Sequence, residues 1–242
     1  MEQLRLLTFG GLALFVGGTS TTGPVTSRQR LALLALLAVA RNRGLNRDKI
    51  QLYLWPDSDA KRSRQGLNQV VYFQRRQLGG EGGGVFLGRK TLRLNPKLLT
   101  SDVWEFQDAL DAGNPEVAVR LYVGPFLDGF FLKGSPEFEQ WVSEQRRRFE
   151  SQCAQAVGQL AAAAAARGDQ RQALDWWRRA AELNPFDTET VLHLAGAWVA
   201  LGDRGAAVRC AQHYEDALRT ELGLPPDPRV TRLIADLRDG AT

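Results

Sequence analysis

The second half of the sequence repeats a helical pattern with a fixed period. The dipeptide Gly-Asp occurs at 168–169 and again at 202–203, 34 residues later, each time between two segments of helical character. Ala173 in the first copy matches Ala207 in the second, so a small residue follows each dipeptide at the same distance. The stretch "DAGNPEVAVRLY" contains an earlier copy, in which Gly113-Asn114 replaces Gly-Asp. Because one such unit cannot bury its apolar face alone, the copies must stack against one another.

A helix-turn-helix unit with this period is typical of tetratricopeptide repeats. Stacked pairs of helices form a concave surface that binds proteins or peptides, and the alternative is a helical bundle without a ligand. The alanine run at 161–166 favours close helix packing over low complexity. From Asp102 onward the pattern predicts helix throughout. We therefore expect residues 99–242 to form an all-α tetratricopeptide-like helical repeat domain.

The first 98 residues alternate between strand-like and helical patterns. "LRLLTFGGLALFVGG" has two apolar runs split by glycines, which predicts a small antiparallel sheet. "TSRQRLALLALLAVARNRG" predicts a helix with Ser27 as its N-cap and Gly44 as its stop. "NRDKIQLYLWPDSD" predicts a shorter helix that is capped by Asn46 and ends before Pro56.

A third helix and a hairpin complete this part of the chain. Asp57, Ser58 and Asp59 offer an N-cap for "AKRSRQGLNQVVYFQRRQLGG". After the glycine run at 79–84, "VFLGRKTLRLNP" has two strand-like runs around a turn at 88–90. Three helices followed by a hairpin are the order of a winged helix-turn-helix fold. We predict an α+β winged helix-turn-helix domain over residues 1–98.

The third helix has two distinct faces. A helical projection places six residues on the inward side: Ser63, Leu67, Val70, Val71, Gln74 and Leu78. Gln74 must find a hydrogen-bond partner there, because burying an unpaired amide costs stability. The outward side and its flank carry amides, rings and cations without an acid: Arg62, Arg64, Gln65, Asn68, Gln69, Tyr72, Phe73, Arg75 and Arg76.

Charge is divided unevenly between the two parts of the chain. Residues 1–98 hold 16 Lys plus Arg against 5 Asp plus Glu, a net charge of +11, whereas residues 99–242 hold 15 against 22, a net charge of −7. A basic part of this kind is suited to a polyanion, and double-stranded DNA fits better than a membrane because no lipid-facing helix stands out. The alternative is a chance clustering of solvated charge.

The outward face of the third helix has the chemistry of a DNA interface. Gln bonds an adenine edge, aromatic rings contact a thymine methyl group, and arginine bonds guanine or phosphate. We expect base contacts from Gln65, Gln69, Tyr72 and Phe73. We expect phosphate contacts from Arg62, Arg64, Arg75, Arg76, Arg89 and Lys90. The alternative is a solvated helix whose aromatic residues pack on a neighbouring domain.

No residue pattern indicates an enzyme, a cofactor or a metal site. His193 and His213 lie far from any cysteine or carboxylate at metal-ligand spacing. The sequence Gly83-x4-Gly88-Arg89-Lys90-Thr91 approaches a phosphate-binding loop, but strand-like rather than helical sequence follows it. Cys153 and Cys210 lie in helical sequence and indicate buried thiols in a reducing cytoplasm. The apolar runs are shorter than the ~18 residues of a membrane span.

Taken in order, several motifs resemble one family of bacterial regulators. "SRQRLALLALLA", "RQGLNQVVYFQRRQLG" and "SDVWEF" are similar to the Streptomyces antibiotic regulatory protein family, in which an OmpR-like winged helix precedes a bacterial transcriptional activator domain. "AVRLYVGPFLDGF", "FEQWVSEQRRRFE", "LNPFDTETV" and "ELGLPPDPRVTRL" are similar to signatures of that activator domain. The resemblance implies a DNA-binding regulator that recruits RNA polymerase, with two protomers of a homodimer on direct repeats.

These observations predict a sequence-specific transcription regulator, an activator, in the cytoplasm. The rival hypothesis is a protein-interaction adaptor that uses the helical repeats, with a degenerate winged helix serving as a packing module.

Overall fold

The computed structural model of the protein describes residues 3–20, 27–78 and 84–239. By their internal contacts the residues divide into two compact units, Met1–Phe149 and Glu150–Thr242. The glycine stretch at 79–83, expected to link the third helix to the hairpin, lies outside the described residues. The described strands are β1 (Leu4–Leu7), β2 (Ala13–Val16), β3 (Thr19–Ser20), β4 (Leu45–Asn46), β5 (Phe86–Leu87), β6 (Thr91–Leu94) and β7 (Leu99–Ser101).

A four-stranded sheet opens the first unit, in the order β3-β2-β1-β7. β1 and β2 pair antiparallel with Leu4 opposite Val16, as the split apolar runs predict. β7 pairs parallel with β1, with Leu4 opposite Leu99. This last strand was not predicted, because three residues that pair with a segment almost a hundred positions away leave no local period.

Three helices follow β3 along the chain: α1 (Arg28–Ala40), α2 (Arg47–Leu54) and α3 (Ala60–Leu78). Asn46 caps α2, since its side chain accepts from Lys49 N at 2.8 Å, and Asp59 Oδ1 accepts from Arg62 N at 2.8 Å at the start of α3. Both caps are as predicted. Ser27 precedes α1, but it accepts through its backbone carbonyl and makes no side-chain cap.

The predicted hairpin forms the wing. β5 pairs antiparallel with β6, with Phe86 opposite Leu94, and β4 adds to the other side of β6. Gly88 turns the chain at φ +84°, and a Cβ there would lie 2.0 Å from the Thr91 carbonyl oxygen, so only glycine fits. β6 directly follows the turn, so no helix begins at Thr91 and the chain lacks this part of a phosphate-binding loop.

The helices of the second half begin with α4 (Asp102–Asp111), α5 (Pro115–Leu121) and α6 (Pro136–Ala166). The prediction of helix throughout is wrong between them, because residues 122–135 form an irregular segment. Pro125 and several glycines disfavour helix there. Phe126 instead forms isolated bridges with Phe9 and Gly11, and its ring enters an aromatic core with Phe149 at 5.2 Å.

The second unit contains the C-terminal part of α6 and then α7 (Gln170–Leu183), α8 (Thr188–Ala200), α9 (Arg204–Ala217) and α10 (Pro228–Asp239), with a π-helical turn at Leu218–Leu222. The predicted repeat is confirmed in its turns. Gly168 and Gly202 adopt φ values of +81° and +82°. Asp169 and Asp203 then cap the next helices, accepting from Gln172 N at 3.0 Å and from Ala206 N at 2.8 Å.

Small and aliphatic residues fill the core of this unit. Val191, Tyr214 and Val230 are buried in one cluster, and Ala195 with Ala207 in another. The alanine run contributes in part. Its members at 161 and 164 are buried, while those at 162, 163 and 166 are exposed. A helix of alanines therefore packs along one side, as expected for closely paired helices.

Candidate nucleic-acid interface

The inward face of α3 is as the helical projection predicts. The buried residues of α3 are Ser63, Leu67, Val70, Val71, Gln74 and Leu78. The Gln74 side chain is fully buried and its Nε2 donates to the Arg30 carbonyl oxygen at 3.1 Å. Its Oε1 accepts no hydrogen bond from the described residues. The NH2 group of this amide therefore has the expected hydrogen-bond partner, whereas the amide oxygen has none among the described residues.

The outward face of α3 combines cations, amides and a ring, and its 19 residues include no Asp or Glu. Tyr72 is 66% exposed, so most of its ring is accessible to a ligand. The other exposed members of the predicted contact set on this helix are Arg62, Arg64, Gln65, Gln69, Arg75 and Arg76. An acid-free surface repels other cations and attracts a polyanion.

Phe73 is placed differently from the other predicted base contacts. It is half-buried, and the guanidinium carbon of Arg30, on α1, lies 3.5 Å from the centroid of its ring. One face of this ring is therefore occupied by a cation from the same unit. Its contact with a base stays a prediction.

Arg75 links the C-terminal part of α3 to the wing. Its Nη2 donates to the Gly88 carbonyl oxygen at 3.5 Å, and its stem packs where a Cβ on Gly84 would lie, 3.1 Å from Cγ. Arg89 and Lys90 are exposed at the same turn of the wing. The fold therefore brings the last turns of α3 and both predicted wing cations into one basic surface.

Arg62 lies near the opposite end of α3. Its Nε is 3.4 Å from Asp59 Oδ2, and both side chains are more than half exposed. Exposed pairs of this kind contribute little to stability, so the guanidinium can exchange its partner at small cost.

Arg47, at the start of α2, belongs to this surface and was not predicted from the sequence. Its Nη2 donates to Asn68 Oδ1 on α3, and its Nη1 donates to the Arg89 carbonyl oxygen at 3.5 Å. Burial, followed by the charge of Arg75, lowers the pKa of this guanidinium from its ordinary value. One sequence signal could have identified it: a cation in the first turn of a helix faces the positive end of the helix dipole and needs a reason to be there.

The histidines and cysteines lie elsewhere, in the second unit. His193 stacks on Trp177 with ring centroids 4.4 Å apart. Cys153 is buried, and burial raises the pKa of its thiol to about 11, whereas Cys210 is half-buried. Within residues 3–20, 27–78 and 84–239, no group of three or more potential ligands could hold a metal ion. None of the described helices combines the length and apolar character that crossing a membrane requires.

A three-helix winged fold with a basic third helix, followed by helix pairs with capped Gly-Asp turns, defines a winged helix-turn-helix protein with a helical repeat region. Residues 102–238 match the bacterial transcriptional activator domain. This is more than half of the chain, and the chain belongs to that family of transcription regulators. The family resemblance inferred from the sequence motifs is confirmed, and so is the predicted fold class.

Solved structures extend the comparison to the fold of nearly the whole chain. EmbR of Mycobacterium tuberculosis, in complex with a low affinity phosphopeptide, is similar with a TM-score of 0.69 and 22% identity over 99% of this chain. The match covers 66% of the EmbR chain. The TPR2B domain of yeast Sti1, in its pHsp70 complex, gives a TM-score of 0.32 and 14% identity, over 57% of this chain and 94% of that one. No protein with a curated description matches significantly.

Proposed function

We propose that the protein is a sequence-specific DNA-binding transcription regulator that inserts α3 into the major groove and places the wing on the flanking backbone. The observation that carries this proposal is the exposed, acid-free face of α3, which lies beside two exposed cations of the wing. In a winged helix-turn-helix fold the third helix is the element that enters the groove. The membership of the activator domain family supports a role in transcription.

The proposed DNA-contacting side chains divide into those that meet bases and those that meet phosphates. Gln65, Gln69 and Tyr72 lie on the exposed centre of α3, where amides and a ring meet base edges and methyl groups. Phe73 stays in this set as a contact at the margin, because Arg30 covers one of its faces. The phosphate contacts are Arg62, Arg64, Arg75, Arg76, Arg89 and Lys90. Such contacts fix the register on the duplex and carry no sequence information.

The helical half supplies the second part of the function. We propose that residues 99–242 recruit RNA polymerase, and that two protomers bind direct repeats, as the family resemblance implies. These residues carry a net charge of −7, although the whole chain is positive, so they are not suited to contact DNA themselves. A cytoplasmic location fits this role.

A gel-shift titration of the full chain on random duplex DNA, repeated at several salt concentrations, tests the proposal. Six phosphate contacts predict a slope of log K against log salt of roughly −5, because each contact releases counterion. Arg76→Gln should reduce the slope by about one unit. Arg232→Gln, which removes an equal charge from an exposed position on α10, is the matched control and should leave the slope unchanged.

Two outcomes would count against a DNA-binding regulator. A weak and flat response to salt would favour the adaptor hypothesis, in which the winged helix is a packing module. Equal changes in the salt slope from Arg76→Gln and Arg232→Gln would show that DNA responds to the net charge of the chain and does not bind α3 specifically.

A further inference from the structure

Arg47 connects the three elements of the winged fold that approach DNA in the proposed function. It is the first residue of α2, and its backbone N–H donates to the Lys90 carbonyl oxygen at 3.3 Å. Its guanidinium reaches Asn68 Oδ1 on the outward flank of α3 and the Arg89 carbonyl oxygen in the turn of the wing. One side chain therefore contacts both the third helix and the turn of the wing.

The charge of Arg47 is held at this point against an electrostatic cost. Burial and the neighbouring Arg75 both disfavour the charged guanidinium, and among the described residues no carboxylate pairs with it. A simple strut between one backbone carbonyl group and one amide would not need a cation. The planar fork does give something that Lys or Gln cannot, since two N–H groups point to α3 and to the wing at once.

We propose that Arg47 is a positioning residue of the DNA interface, which holds the wing turn against α3 so that Arg89 and Lys90 meet the phosphate backbone in register with the helix in the groove. The inference rests on the proposed DNA-binding function. Arg47 acts through the backbone of Arg89, so substitution of the Arg89 side chain leaves the bridge intact. The two contributions can therefore be separated by mutation.

A double-mutant cycle on random duplex DNA measures this coupling. Arg89→Ala should lower the salt slope by about one unit in the wild-type background, because it removes one phosphate contact. Arg47→Ala should lower the slope by about one to two units, since the wing turn loses its side-chain bridge to α3 and keeps only the backbone N–H of residue 47 on the Lys90 carbonyl and Arg75 on the Gly88 carbonyl. Arg89→Ala should then cause no further loss in the Arg47→Ala protein, which makes the pair strongly non-additive.

Two further variants make the test specific. Arg62→Ala, at the far end of α3, is the control partner, and its effect should add to that of Arg47→Ala. Arg47→Lys keeps the charge and loses the fork, so it should behave as Arg47→Ala. Circular dichroism melts monitor folding, and should Arg47→Ala melt early, Asn68→Ala breaks the same bridge from an exposed position and repeats the cycle.

The results distinguish failure of the positioning role of Arg47 from failure of the proposed DNA-binding function. Additive effects of Arg47→Ala and Arg89→Ala, or full rescue by Arg47→Lys, would overturn the positioning role while wild-type binding stands. A wild-type protein without salt-dependent binding would overturn the proposed function and this inference with it.

Discussion

Asp102, the first residue of α4, holds the segment that follows β1 through its carboxylate. Its Oδ2 accepts from the backbone N–H groups of Thr8 at 2.7 Å and Phe9 at 2.9 Å. Its Oδ1 accepts from Thr8 Oγ1 at 2.7 Å and from Val103 N at 2.8 Å. The side chain is buried, and every one of these partners is a donor. A residue of the same shape that is not a carboxylate cannot satisfy all four.

We expect Asp102→Asn to destabilise the first unit by roughly 2–4 kcal/mol. The NH2 group of Asn would replace one carboxylate oxygen, so the buried donors that face this oxygen would lose their acceptor. Urea unfolding followed by circular dichroism measures the change. Asp108→Asn is the matched control, since Asp108 makes an exposed pair with Arg41 and should cost less than about 1 kcal/mol. Equal losses from both substitutions would contradict the assigned role of Asp102.

Gln69 and Arg75 separate base readout from backbone contact. Gln69 is exposed near the centre of α3, whereas Arg75 lies at the wing end with a hydrogen bond to Gly88. Gln69→Ala should cost about 1–3 kcal/mol on the preferred site and much less on random DNA. Arg75→Ala should weaken both kinds of site equally and lower the salt slope by about one unit.

Competition binding with preferred and random duplexes measures this contrast, and melts of both variants control for folding. An unchanged site preference in Gln69→Ala would end the case for direct readout by this face. Specificity would then come from the wing or from the shape of the DNA.

Some of the residue-level detail was predictable, and some was not. All six inward residues of α3 follow from a period of 3.6, because that face must meet the core. Arg47 and Asp102 could not be identified in the same way, since their side-chain partners outside their own helices lie 21 or more positions away in sequence. The cover of Arg30 over Phe73 likewise depends on how α1 crosses α3.

At the scale of elements, the capped Gly-Asp turns define the helix pairs of the second unit. We expect Asp203→Ala to lower the stability of this unit by about 1 kcal/mol, because the N–H of Ala206 loses its acceptor at the start of α9. Chemical denaturation followed by tryptophan fluorescence reports it, since Trp177 and Trp198 lie in this unit. Asp216→Ala, which breaks an exposed pair with Arg219, is the control and should change little.

The elements that sequence predicted well are those with a local signal. α2 and α3 have side-chain caps and α1 has a helical period, while the wing has a turn that only glycine fits. β7 has no such signal, and the irregular segment at 122–135 has a proline and glycines that disfavour helix but no pattern that gives its own conformation. Both are placed by contacts with β1 and its following loop, where Leu99 pairs with Leu4 and Phe126 with Phe9.

At the scale of the whole molecule, the predicted division after residue 98 and the compact units do not coincide. The activator domain match begins at residue 102, whereas the first compact unit extends to Phe149. A fragment of residues 1–98 lacks β7 and Asp102, which complete the sheet and hold Thr8.

We therefore expect fragment 1–149 to bind random duplex with nearly the salt slope of the full chain, and to melt at a higher temperature than fragment 1–98. Fragment 150–242 should not bind, because the proposed contacts all lie before it. Gel shifts and circular dichroism melts of the three fragments check this. A fragment 150–242 that shifts duplex DNA at moderate salt would show that the roles of the two units are assigned wrongly.

The most direct measurement for the central claim is a selection of bound duplexes from a random pool by the full chain. Sequence-specific readout by α3 predicts enrichment of one short motif, and two protomers on direct repeats predict that it recurs in the same orientation on the same duplex. Each wrong base pair in that motif should cost about 1–3 kcal/mol when it is measured singly. A pool that remains random after repeated rounds, although the protein binds DNA with a steep salt dependence, would contradict sequence-specific readout by this helix.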